Sequence, residues 1–371
     1  MDALTTPSNW QRVRLGDIAE INPPTIIPNV FYYIDLESVE KGQLLNKQLM
    51  IKNKAPSRAR RLLSKNDILY QLVRPYQRNN YFFTLNGNYV ASTGYAQIRT
   101  LQNPSFLYFA LHSNYFVNAV LDRCEGTSYP AISSNELKKC EVILPPLNEQ
   151  IAIANILSDV DRYLYSLRAL ILKKESVKKA LSFELLSQRK RLKGFNQAWQ
   201  RVRLGDIANY LTSNLSAEQI TQQGKIKVYD VNNFIGYTNT TFISDKPYIS
   251  IVKDGSVGRV RILPPKTNIL STMGALIANH KTTTEFLFYL LSNFDFKNFT
   301  SGSIIPHIYF KDYKEKTIFL PPLNEQIAIA NVLSALDNEI ISLKNKKRQF
   351  ENIKKALNHD LMSAKIRVLK K

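Results

Sequence analysis

Arg74-Pro-Tyr-Gln-Arg-Asn-Asn-Tyr81 sets two arginines, two asparagines, a glutamine and two tyrosines side by side. These side chains hydrogen-bond base edges, contact phosphates or stack on flat rings. A second loop, Lys253-Asp-Gly-Ser-Val-Gly-Arg259 followed by Arg261, is its counterpart later in the chain. Read blandly, both are solvated hairpins. The company of the first loop decides between the readings: Ile51 to Tyr81 carries Arg58, Arg60, Arg61, Arg74 and Arg78 with three lysines against one acid, Asp67. A solvated face would mix signs, so the cluster points to a polyanion. The candidate contact residues are Arg58, Arg60, Arg61, Arg74, Tyr76, Gln77, Arg78 and Asn79 in the first half, and Lys253, Ser256, Arg259 and Arg261 in the second. Two turns join them, Gly126-Thr-Ser-Tyr-Pro130 and Gly302-Ser-Ile-Ile-Pro306, whose Thr127 and Ser303, with the adjoining His307, could face a backbone phosphate. A purely structural turn, or for His307 a capping or core role, is the alternative.

Groups that would make or break bonds are scarce. His112, His280, His307 and His359 are scattered, none at metal-ligand spacing to another ligand, so no metal site is expected. Cys124 and Cys140 lack the paired spacing of a zinc site and the density of a disulfide scaffold. No Gly-Lys-Ser/Thr loop is present to cradle a phosphate, and no nuclease-type carboxylate cluster is evident. The chain is expected to bind rather than to transform, with no catalytic residue and no cofactor of its own.

Composition agrees. A formal charge of +20 over 371 residues favours nucleic acid, ahead of a membrane surface, because clustered cations release counterions from phosphates. With 44% hydrophobic residues the chain can bury two cores of ordinary size, so disorder is not the default. Charges break every apolar run before the roughly 18 residues that span a bilayer, and Met1 to Trp10 lacks the apolar core of a signal peptide. A cytoplasmic location is expected.

The elements that must position these residues come in two copies. Trp10 to Ala19 reads WQRVRLGDIA, and Trp199 to Ala208 repeats those ten letters at an offset of 189. Leu144 to Asn155 reads LPPLNEQIAIAN, and Leu320 to Asn331 is identical at an offset of 176. The second offset also pairs Gly126 with Gly302, Pro130 with Pro306, and Lys178-Lys179-Ala180-Leu181 with Lys354-Lys355-Ala356-Leu357. A repeat at a fixed offset decides the architecture before local propensity does. Between the anchors the halves diverge and differ by 13 residues, the difference of the two offsets: framework is copied, and the intervening surface is not.

Each half runs from a globular region to a helix. Short apolar runs between Gly, Pro and Asn predict strands over Asp67–Val73, Tyr89–Ala91, Glu141–Leu144, Ile226–Val231, Tyr248–Val252 and Val260–Leu263, with helices over Phe106–Phe116 and Glu285–Asn293. After Pro145-Pro146 a run without Gly or Pro to about Arg191 predicts one long helix. Its apolar stripe is Ile153, Leu157, Val160, Leu164, Leu167, Ile171, Val177, Leu181 and Leu185. The second copy has Ile329, Leu333, Leu336, Ile340, Leu343, Phe350, Ile353, Leu357 and Leu361. Both read as coiled-coil seams. Each has an imperfect layer that the other copy suits, so an antiparallel pair within the chain is expected, with self-association on the same seam as the alternative. Glu149, Gln150, Glu325 and Gln326 open the helices identically. The glutamates favour the helix dipole there, and all four together are the candidate docking surface for two copies of one partner.

The order WxxVRLGDIA, Gly-Thr/Ser-x-x-Pro, then Leu-Pro-Pro-Leu-Asn-Glu-Gln opening a long helix, found twice over nearly the whole chain, resembles the specificity subunits of type I restriction-modification systems. The resemblance implies an α+β fold with two similar globular target-recognition domains separated by two long helices forming an intramolecular antiparallel coiled coil. The boundaries are 1–144 and 193–319 for the domains, and 145–192 and 320–371 for the helices. It implies that each domain reads one half of a split, asymmetric site in double-stranded DNA. It also implies two methyltransferase subunits that modify adenine with S-adenosylmethionine, and restriction subunits that use ATP with magnesium where they are present. The chain is short for that family, which points to trimmed loops. Asn22-Pro23-Pro24-Thr25 resembles the Asn-Pro-Pro-aromatic loop of adenine methyltransferases, but Thr25 replaces the stacking aromatic and no Gly-rich loop for a methyl donor is present. That argues against a self-sufficient methyltransferase. A free-standing DNA-binding regulator would be basic and duplicated too, yet would not need two identical helix starts.

Overall fold

The computed structural model of the protein describes residues 7–369; residues 1–6 and 370–371, with most of the segment read above for a leader, lie outside the described residues. By contacts the chain divides into Met1–Arg168 with Lys346–Lys371, and Ala169–Asn345.

In the first unit the repeated sequence at Trp10 becomes a strand, Gln11–Arg14, pairing antiparallel with Glu141–Leu144, so the globular region is closed where it begins and ends. Two four-stranded sheets fill it. One has the order Gln48–Ile51, Val30–Ile34, Tyr89–Ser92, Ala59–Leu62; the other Ala19–Ile21, Tyr95–Thr100, Ile68–Gln71, Tyr81–Phe82. Ile68–Gln71 is buried on both faces: Ile68 and Tyr70 enter the large core, while Leu69 turns into a second core with Tyr81, Phe83 and Tyr95. This is the period-two alternation of a pleated strand covered on both sides.

The second unit repeats the plan. Gln200–Arg203 pairs antiparallel with Thr317–Leu320. A four-stranded sheet runs Ala208–Thr212, Met273–Ala278, Tyr248–Val252, Val260–Leu263, beside three strands in the order Phe234–Thr238, Ile226–Tyr229, Thr267–Ile269. Tyr248–Val252 is again covered on both faces, with Ile249 and Ile251 in one core and Tyr248 and Val252 in the other.

One expected helix is two. Phe106–Phe116 breaks into Pro104–Ala110 and Asn114–Leu121, because Ser113 donates to the Ala110 carbonyl at 2.6 Å and caps the second helix through the Phe116 amide.

The long helices are Leu147–Leu186 and Leu323–Met362. The first stops short of Arg191. Gln188 and Ala364 adopt left-handed conformations (φ 61° and 56°), and the Lys190 and Ile366 amides fold back onto the Glu184 and Asp360 carbonyls. Within each unit the helix segments pair antiparallel: Asp161 with Lys354 (2.5 Å) and Tyr163 with Phe350 in the first, Glu175 with Lys344 (2.6 Å) and Lys178 with Asp337 (2.5 Å) in the second. The expected stripe is not apolar throughout, since Val177 and Ile353 are 45% and 48% exposed. Lysines 178 and 354, the next residue in each copy, turn toward the partner helix and meet an aspartate there. At these two levels the place that the stripe gives to Val177 and Ile353 is taken by a cation whose stem packs and whose head is paired.

Candidate nucleic-acid interface

In the first unit the buried strand Ile68–Gln71 delivers the chain to the Arg74 loop, and the Gly126–Pro130 turn lies against it. Val73 bridges Ala131, the Arg74 amide donates to the Pro130 carbonyl at 2.7 Å, and the Ile132 amide donates to Leu72. The second unit builds the same junction from the corresponding loops: Asp254 bridges His307, the Gly255 amide donates to the Pro306 carbonyl at 2.9 Å, and the Ile308 amide donates to Lys253. Each sequence-singled loop thus meets its own Gly-x-x-x-Pro turn, though they lie about 50 residues apart in the chain.

Within the first junction the polar side chains divide between surface and scaffold. Arg74 lies over the Tyr129 ring, 4.2 Å from its centre, and Tyr76, Gln77 and Thr127 are exposed. Arg78 is an anchor instead: half-buried, it donates to the His112 carbonyl (3.0 Å) and to Asn114 Oδ1 (2.8 Å), and burial lowers its pKa. Asn79 is taken up by Gln71 and by the Lys41 amide. Arg78 and Asn79 therefore shape the loop through bonds internal to the unit. His112 itself is held mainly by desolvation at a pKa of about 4, with its Nδ1 on the Tyr108 carbonyl at 2.7 Å.

In the second junction His307 bonds Asp254 through Nδ1 at 2.7 Å, and Ser256 and Ser303 are exposed. Arg259 and Arg261 are tethered to one residue, Asn232, by its side chain and its carbonyl. Lys253 lines a cleft of about 370 Å³ with Tyr210, Thr212, Tyr309, Lys311 and Lys314.

Arg58, Arg60 and Arg61 stand on and beside the edge strand Ala59–Leu62 and share no hydrogen bond or ring contact with the Arg74 loop among the described residues. Arg58 and Arg60 are exposed. Arg58 donates to the Tyr33 hydroxyl, which with nearby negative charge raises its pKa. Arg61 is half-buried, its Nε lacks an acceptor, and burial lowers its pKa. It is the least suited of the three to a phosphate.

The docking surface expected at Glu149, Gln150, Glu325 and Gln326 does not exist as a surface, since all four are buried. Glu149 accepts from Trp10 Nε1 (3.0 Å) and from both forks of Arg367; Glu325 accepts from Trp199 Nε1 (3.0 Å) and both forks of Arg191. Gln150 and Gln326 donate to the Pro145 and Pro321 carbonyls, each at 2.8 Å. A buried carboxylate needs paired donors, and that need accounts for the glutamate and the tryptophan that both copies share. Outside, the repeat leaves Asn148 and Asn155, with Asn324 and Asn331, and an apolar pair in each copy: Leu147 and Ile151, with Leu323 and Ile327, are 43–56% exposed.

Sequence reasoning missed Tyr129, Asn232, Arg191 and Arg367. Tyr129 alone left a signal, as the aromatic inside a turn already singled out; the others act over distances that spacing does not reveal.

The model of the type I restriction modification DNA specificity domain matches the chain twice, over residues 7–175 and 196–352. The MjaVIII specificity subunit of a type I restriction enzyme from Methanocaldococcus jannaschii is 24% identical, with 99% of this chain and 95% of that one covered. A second relative from that organism, described as a candidate MjaX specificity subunit, is 32% identical over 263 residues; the match covers 64% of this chain and 62% of that one. Among solved structures, the S subunit of a type I restriction-modification system from M. genitalium shares the fold at TM-score 0.63 and 19% identity, with 95% of this chain and 96% of that one covered.

Proposed function

The chain belongs to the type I restriction-modification DNA specificity family, and we propose that it directs a methylating complex to a split DNA site, each globular domain reading one half. Members of this family are recognition subunits and not catalysts. The observation that carries the reading is the doubled junction. Two copies of one framework bring a divergent polar loop against a Gly-x-x-x-Pro turn in the same way, by the Pro130 and Pro306 carbonyls, and leave cations and hydroxyls outward. A constant frame with unlike readers suits an asymmetric site.

In this reading the paired helices set the unread spacer, and two methyltransferase subunits bring S-adenosylmethionine. ATP and magnesium enter with restriction subunits where these assemble. The docking surface is the exposed Leu147–Ile151 pair and its copy Leu323–Ile327, apolar and identical in both halves, as two copies of one partner require. The complex acts on DNA in the cytoplasm; no described helix is long and apolar enough to cross a membrane.

The test is the map of methylated adenines in a host with and without this gene. Two short half-sites at fixed separation, modified only when the gene is present, are expected. Identical maps would refute the reading.

A further inference from the structure

We propose that Arg74 is the side chain with which the first globular domain reads a guanine, through its O6 and N7 in the major groove. The proposal rests on the DNA-reading function above and adds to it the residue and the base.

Arg74 is held in a left-handed backbone conformation, φ 53° and ψ 54°, directly before Pro75. Both conditions are unfavourable. In the left-handed region Cβ crowds the following carbonyl, and a residue before proline is driven toward an extended backbone. The corresponding residue of the second domain is Gly255, at φ 84°, for which this conformation is free of strain. The amides of Arg74 and Gly255, each donating to the proline of its own turn, establish the correspondence. One copy of the framework thus meets the backbone's demand with glycine, while the other keeps an arginine against it. Strain of this kind persists where the surroundings over-determine it, and it concentrates at functional sites.

The surroundings here do over-determine it. Pro75 is buried, and Arg78, the second left-handed residue (φ 55°), is bonded to His112 and Asn114 on the far side of a single turn. The Arg74 guanidinium rests on Tyr129, itself 63% exposed, and among the described residues no acceptor takes its side-chain N–H groups. A phosphate takes an arginine fork as well, but it accepts from many directions and does not require the fork to be aimed. Aiming a planar fork by means of a strained backbone and a stacked ring matters most to a pair of acceptors with fixed geometry. Guanine's O6 and N7 are such a pair, and arginine fits them bidentately. Gly255 has no side chain to offer, so the second domain reads nothing by this contact, and the two half-sites differ there.

The experiment uses the complex with its methyltransferase subunits and short duplexes carrying the half-sites found by methylome mapping. One half-site is expected to contain a G·C pair whose replacement weakens wild-type binding about 5- to 100-fold. With R74A or R74G the same replacement should matter less than about twofold, while the other positions and the second half-site are still discriminated. R74G also relieves the backbone, so an equal or higher Tm separates lost reading from lost folding. Equal weakening on every sequence, or unchanged discrimination in the variants, overturns the proposal and leaves DNA reading intact. Absence of split half-sites in the wild type would instead strike the functional reading itself.

Discussion

Glu149 and Arg367, 218 residues apart in sequence, meet through two parallel hydrogen bonds of 2.7 and 2.9 Å, and Glu325 with Arg191 repeats the arrangement. The carboxylate also takes the indole N–H of the tryptophan that opens the globular region, so one buried group ties a helix start, a chain segment beyond the other helix's end and the first strand's entry. Removing one partner of a buried, hydrogen-bonded pair leaves the rest desolvated and unmatched. Glu149→Gln should therefore destabilise the first unit by about 2–4 kcal/mol, the Arg being partly exposed. Urea unfolding would show it as a lower midpoint at unchanged slope. A loss below about 0.5 kcal/mol, the range of an ordinary surface change, would show the clasp to be dispensable.

His112 makes stability depend on pH. Desolvation is the main cause of its low pKa, with Lys354 and Arg78 adding repulsion and the Tyr108 carbonyl working the other way. The folded value of about 4 lies below the ordinary 6.5, so between these pH values the unfolded chain binds more protons and stability rises with pH. The contribution is present above about pH 6.5 and is lost as pH falls toward 4, by at most about 3 kcal/mol. In His112→Asn the fall between pH 6.5 and 5 should be shallower than in the wild type. Parallel curves would refute the assignment.

Arg58 and Arg60 are exposed where Arg61 is not, and this separates their effects on DNA. Arg58→Ala and Arg60→Ala should each weaken binding to all sequences alike and reduce the slope of log K against log salt by about one. Arg61→Ala should leave that slope as it is. A slope unaffected by the first two would place the edge strand away from DNA.

The apolar pairs at the two helix starts should matter only to assembly. Leu147→Glu with Ile151→Glu removes exposed apolar surface without touching the Glu149 clasp. We expect unfolding midpoints near wild type and a complex retaining one methyltransferase subunit, counted by mass. Adding Leu323→Glu and Ile327→Glu should remove the second. Full occupancy in the fourfold variant would rule this surface out.

Much of the frame could be read from the letters alone. Repeats compare the chain with itself and need no structure, so WQRVRLGDIA and LPPLNEQIAIAN set the order of elements. Strands such as Glu141–Leu144 and Tyr248–Val252 follow from local apolar runs and lie where those runs place them. Periodicity also located both long helices, but not the rotation of every turn, and Val177 and Ile353 face outward. Tertiary structure alone decided which polar residues are spent inside. Arg74 and Arg78 carry the same side chain in one loop, yet one is stacked at the surface and the other is held by His112 and Asn114. Glu149 looks like a surface charge until Trp10 and Arg367 are brought to it. Local propensity is a property of neighbours in sequence, whereas burial and charge pairing are properties of neighbours in space, and those neighbours exist only once the chain has folded.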